Sequence, residues 1–115
     1  MSDTATTTGP GPVDGVRVET VTDGHVLRVV LHGECDFSTI SDLDRALQGL
    51  DLGGSRVVHL DLTHLEFADV ATIRRLAAFA GHAKRDGQDV TTRGAHPTMR
   101  KVADLLHVHG ELGLG

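Results

Sequence analysis

Apolar and polar positions first alternate with a period of two. Val16, Val18 and Thr20 face one way and Arg17 and Glu19 the other, the pattern of a half-buried strand. Asp23-Gly24 is a turn signal, and Val26-Leu27-Arg28-Val29-Val30-Leu31 reads as the returning strand of a hairpin. Gly33 to Ser38 predicts a loop, after which the period lengthens. Leu43, Ala46, Leu47 and Leu50 fall at i, i+3, i+4 and i+7, with Asp42, Asp44, Arg45 and Gln48 on the other face, so a helix is expected. Ser38 or Ser41 is placed to cap it, and Gly53-Gly54 closes the connection. Arg56 to Leu62 is a near-continuous apolar run, suited to a central strand covered on at least one face. His64 to Ala68 predicts a short loop ending at Asp69. A second helix then aligns Ile73, Leu76, Ala77 and Ala80, leaving Arg74, Arg75, His82 and Lys84 outside. Asp86-Gly87 breaks it, and Gln88 to Thr92 predicts a weaker strand. Pro97 opens a last helix whose stripe is Met99, Val102, Ala103 and Leu106. The order β-β-α-β-α-β-α predicts an α/β fold, a small mixed sheet with helices packed on it.

Composition narrows this picture. The first fifteen residues, MSDTATTTGPGPVDG, hold almost nothing to bury and are expected to form a disordered tail. The remainder, 16–115, suits a single domain. With no Trp, no Tyr and three Phe, aliphatic side chains must build the core. A formal charge of −5 argues against a general nucleic-acid binder, which needs a basic face to neutralise phosphates. No run approaches the ~20 apolar residues of a membrane-spanning helix, so no membrane insertion is expected. The one cysteine, Cys35, excludes an internal disulfide framework and any multi-cysteine zinc site, and a cytoplasmic protein is the plain expectation.

Several short motifs then resemble one family in register. Gly33-Glu34-Cys35-Asp36 is similar to the G-E-L-D turn of STAS domains (sulfate transporter and anti-sigma factor antagonist), and Val57 to Leu62 to their V-L-D-L strand. Phe67-Ala68-Asp69 matches their F-x-D, and Pro97-Thr98-Met99-Arg100-Lys101-Val102 resembles their P-x-[VM]-R-[RK]-V helix. The resemblance runs from about Val16 to about Leu112. It implies a STAS-like α/β fold and a regulatory binding module rather than an enzyme. In bacterial members the segment after F-x-D reads D-S-[ST]-G, and its second hydroxyl residue is phosphorylated by a partner. That partner is an anti-sigma factor, a serine-protein kinase of the histidine-kinase-like ATPase type. Unphosphorylated, the domain binds the kinase and frees the sigma factor. The implied partner-binding residues here are Asp36, Ser38, Asp69, Val70, Ala71 and Thr72.

The chain departs from the family where the switch sits. It reads Asp69-Val70-Ala71-Thr72-Ile73, which puts Ala71 at the usual acceptor position. Alanine takes no phosphate. Thr72 stands one residue on, about 100° further round the helix, and is expected to meet such a kinase badly. Asp69 is also a preferred helix N-cap whatever its function, and Asp36 equally suits a turn. Val70 either stands on the surface of the first helical turn or tucks into the core.

Other chemistry finds little support. The eight histidines show no H-E-x-x-H and no clustered spacing, so no metal site and no cofactor are expected. There is no nucleophile elbow, P-loop or recognisable carboxylate pair, and Cys35 reads as a small buried filler. Arg74-Arg75 with Lys84-Arg85 makes a basic helix face that solvation explains. Three functions follow from the resemblance. The first is an anti-sigma factor antagonist that is always unphosphorylated or rewired to other control. The second is an accessory STAS subunit of a lipid-transport ATPase, and the third a domain sensing a nucleotide or other small ligand.

Overall fold

A computed structural model describes residues 15–114. The expected tail therefore lies outside the described residues except for Gly15, a half-buried bend at the domain's edge. The elements run β1 (Val16–Asp23), β2 (Val26–Cys35), α1 (Ile40–Gln48), β3 (Val57–Ala68), α2 (Val70–Arg85), β4 (Asp89–Arg93), α3 (Pro97–Leu105) and α4 (His109–Leu112). They form a four-stranded mixed sheet in the order β1-β2-β3-β4. The β1–β2 pair is antiparallel, and β2–β3 and β3–β4 are parallel. The α/β class and the order of the first seven elements are as the sequence predicts.

Both parallel crossovers step the same way across the sheet. Such connections share one hand, so α1 and α2 come to lie on one face. There α1 touches α2, α2 touches α3 and α4, and Arg75 of α2 bonds Asp44 of α1 at 2.6 Å. The covered face is aliphatic: Leu27, Val29, Leu31, Val58, Leu60 and Leu62 meet Leu43, Ile73, Leu76 and Ala80 in one buried core. All four residues of the expected α2 stripe are buried, as are Met99 and Ala103 of α3. The opposite face of the sheet turns Arg17, Arg28, His59, Asp61, Thr91 and Arg93 outward.

Where structure and sequence reading differ, strand pairing is the cause. Gly33 to Cys35 continue β2 rather than starting a loop, and His64 to Ala68 continue β3. These ends pair with each other, His32 with His64, Gly33 with Leu65, Glu34 with Phe67 and Cys35 with Ala68. Irregularities between Val30 and His32 and between Gly33 and Glu34 break the alternation, so the segments look like loops in one dimension. Gly33, at φ +96°, is a glycine because a Cβ there would sit 2.3 Å from the Gly15 carbonyl oxygen. The N-cap of α1 is Thr39, not Ser38 or Ser41. β4 is shifted by one residue to Asp89–Arg93.

The short helix α4 has no strong periodic signal, yet it completes the domain. It delivers Leu112 and Leu114 into the core, and Leu114 bridges Thr92 beside the last strand. The Thr92 hydroxyl donates to the Leu112 carbonyl. The outer edge of β4 is thereby partly closed.

Candidate partner-binding site

The Asp36 and Asp69 segments follow β2 and β3, two parallel neighbours, and so emerge side by side at the carboxyl edge of the sheet. In open α/β sheets that edge is where function gathers. Backbone bonds tie the two together. The Asp69 amide donates to the Cys35 carbonyl at 3.3 Å, and the Thr72 hydroxyl approaches the same oxygen at 3.0 Å.

The first loop is built around Asp36. Its Oδ1 accepts from the Ser38 amide at 2.9 Å and from the Ser38 hydroxyl at 2.6 Å. Its own amide donates to Thr39 Oγ1 at 3.1 Å. Such Asx geometry explains why Asp-x-Ser-Thr leads into α1. The Ser38 hydroxyl bond, then its amide bond, hold the Asp36 carboxyl below the ordinary carboxylate range. Ser38 therefore orders the loop and is itself exposed.

The second loop is a helix entry. Asp69 caps α2, its Oδ1 accepting from the Thr72 amide at 2.9 Å, as expected from its place before the helix. Thr72 is fully buried, and its hydroxyl lies 2.8 Å from Asp69 Oδ1 with one proton to share between that oxygen and the Cys35 carbonyl. Ala71, one residue earlier, is exposed. Val70 takes the surface alternative and is 46% exposed. Beneath the loops Cys35 is buried, and desolvation pushes its thiol up, the largest effect there, so it stays protonated.

The structure adds two residues that the sequence reading passed over. Phe37, between Asp36 and Ser38, is 80% exposed, and Phe67, two residues before Asp69, is 50% exposed. With Val70 they surround the paired loops with apolar surface, which soluble chains concentrate at contact sites. The signal available in sequence was an aromatic residue within a polar turn. For Phe67 there was none, because the irregularity in β3 decides which face it takes. Of the expected site residues, Asp36, Ser38, Asp69, Val70 and Ala71 are at least partly accessible at this edge, and Thr72 alone is sealed beneath it.

Among the described residues no helix is long and apolar enough to cross a membrane. No curated protein sequence matches the chain significantly. Solved structures do. The fold matches that of an anti-sigma factor antagonist from Mycobacterium paratuberculosis with a TM-score of 0.69 at 20% identity, covering 86% of this chain and 84% of the other. The anti-sigma factor antagonist SpoIIAA in its unphosphorylated form gives 0.65 at 13% identity, covering 85% and 87%. The phosphorylated form of SpoIIAA, a Bacillus cell fate determinant, gives 0.64 at 14% identity, covering 85% and 90%. At these identities the likeness is one of fold. The family model described as "Mlab, STAS domain" matches residues 18–114, from within β1 to beyond α4, and the chain belongs to the STAS domain family.

Proposed function

We propose that this chain is a regulatory protein-binding module of the anti-sigma factor antagonist type, with no catalytic step of its own. Its partner is an anti-sigma factor of the histidine-kinase-like ATPase type, docked on the Asp36 and Asp69 loops. The reading is supported by the family membership and by the anti-sigma factor antagonists among the solved structures that share the fold. The observation that carries it is the start of α2, where Val70 and Ala71 face outward and the Thr72 hydroxyl faces inward.

That arrangement favours a permanent contact over a phosphate switch. Ala71 has no hydroxyl to modify. Thr72 has one, but its side chain must leave the core to reach a kinase. A phosphate there adds roughly −1.5 to −2 charge beside the Asp69 carboxylate, where like charges repel. The module therefore acts as an antagonist that stays unphosphorylated.

Affinity capture from the source cells, with ADP present and retained proteins identified by mass spectrometry, tests the reading. A histidine-kinase-like ATPase is expected on the wild-type chain and absent from Val70→Asp, a change that suits a helix N-terminus and leaves folding intact. Ala71→Ser is expected to become a substrate of that kinase while the wild type does not. Capture of transporter subunits would move the chain to the accessory role in a lipid-transport ATPase. A nucleotide retained by the purified protein would favour ligand sensing, and phosphate on wild-type Thr72 would overturn the permanent contact.

A further inference from the structure

On the open face of the sheet, just short of the Glu34–Phe67 pair that leads into the loops, the fold brings together two histidines that lie 32 residues apart in sequence. His32 of β2 and His64 of β3 are partners in the strand register. Their rings stack with centroids 5.1 Å apart and planes within 7° of parallel. A β-bulge creates this juxtaposition. From Val30 to His32 the first strand advances two residues, while from Asp61 to His64 the second advances three. Without that extra residue His64 would point at the helices and Leu65 at solvent. Instead Leu65 is buried and His64 exposed. Bulges are rare in parallel pairs and commonly re-aim a side chain at a functional position. This one is held from two sides. The Asp61 carboxylate accepts from the Thr63 amide at 3.0 Å, and the backbone of Gly94 packs directly on Thr63.

A third residue completes the set. Glu19 of β1 reaches Nε2 of His32 with Oε1 at 2.9 Å. The carboxylate accepts, so Nε2 carries the proton and a neutral His32 keeps its lone pair on Nδ1. A carboxylate fixing one ring nitrogen of a histidine, so that the other is presented as a ligand, is the usual support of a metal-bound imidazole.

We propose that His32 and His64 form a two-histidine clamp for a divalent transition-metal ion, copper(II), nickel(II) or zinc(II), with Glu19 orienting His32. Bonds of about 2.0–2.1 Å to each imidazole put the two donor nitrogens about 3 Å apart, so one ring, His64, must swing out of the parallel stack to turn its in-plane lone pair toward the ion. His64, being exposed, turns at little packing cost. Among the described residues no three His, Cys, Asp or Glu side chains already converge on one point. The protein thus supplies two ligands and water fills the other positions. The Asp61 carboxylate lies near His64 and favours a cation here, while Arg28, which also acts on Asp61, and Arg17, in register with His32, oppose one. The general affinity order of divalent metals puts copper above nickel and zinc at such a site, and protonation of either ring expels the ion.

Calorimetric titration of copper(II), nickel(II) and zinc(II) chloride into the full chain at pH 7.5 tests the clamp. One site per chain should stand out from weak background binding by the remaining histidines, with copper the tightest. His64→Ala should abolish it without affecting folding, His32→Ala likewise, and Glu19→Gln should weaken it about tenfold. His82→Ala, on the far side of the domain in α2, should leave it unchanged. An undiminished copper site in His64→Ala, or one lost in His82→Ala, would overturn the assignment, as would the absence of any site tighter than the background.

Discussion

Thr72→Val removes one oxygen from beneath the carboxyl edge of the sheet and keeps the shape of the side chain. The hydroxyl it deletes is fully buried and bonds the Asp69 carboxylate at 2.8 Å, within reach of the Cys35 carbonyl at 3.0 Å. A hydrogen bond to a charged group contributes about 1.5–3 kcal/mol, but neither acceptor here is orphaned by the change. Asp69 Oδ1 keeps the Thr72 amide, and the Cys35 oxygen keeps the Asp69 amide. The expected loss is therefore at the low end, about 1–2 kcal/mol. At about 4–8 °C per kcal/mol for a domain of this size, that lowers the melting temperature by about 4–16 °C. Urea unfolding should show the midpoint falling with the slope unchanged. Asp69→Ala should cost ~1 kcal/mol through the lost cap and should also remove the hydroxyl's partner. The double variant should then be less destabilised than the sum of the singles, by about 0.5 kcal/mol or more. Additivity, or a Thr72→Val variant within about 0.3 kcal/mol of wild type, would refute the view that this hydroxyl is sealed in the fold.

Two glycines of the same left-handed conformation separate strain from contact. Gly94→Ala, at φ +79°, brings a Cβ to within 2.6 Å of the Thr63 backbone nitrogen and should cost about 3 kcal/mol or more in urea unfolding, whereas Gly24→Ala at φ +62° meets open space and should lose only ~1 kcal/mol. Equal losses would show that Thr63 yields easily. Cys35 should resist alkylation at pH 8 while the protein is folded and react at the rate of a free thiol in urea, because burial favours its protonated form. Rapid labelling of the folded chain would place the thiol at the surface.

The local half of this protein was legible in one dimension. Helix stripes depend on residues three and four apart, so Leu43-Leu47 and Ile73-Leu76-Ala77-Ala80 identified the buried faces of α1 and α2 before any contact was known. Asp69 announced the start of α2, since a cap acts over three residues. Pro97 did the same for α3, and two of the four family motifs, Gly33 to Asp36 and Phe67 to Asp69, marked the paired loops. The ends of β2 and β3 were missed because their order comes from pairing across some thirty residues, with two irregularities that no local period reveals. The same pairing exposes Phe67, aims His64 at His32 and packs Gly94 against Thr63. α4 and Leu114 escaped notice because four residues carry no helical period, and their burial depends on a strand twenty positions away. Periodicity and capping are short-range effects, so the sequence alone decided which elements form. Register, bulges and edge closure join residues distant along the chain, and only the tertiary structure decided which side chains the carboxyl edge and the open face of the sheet present.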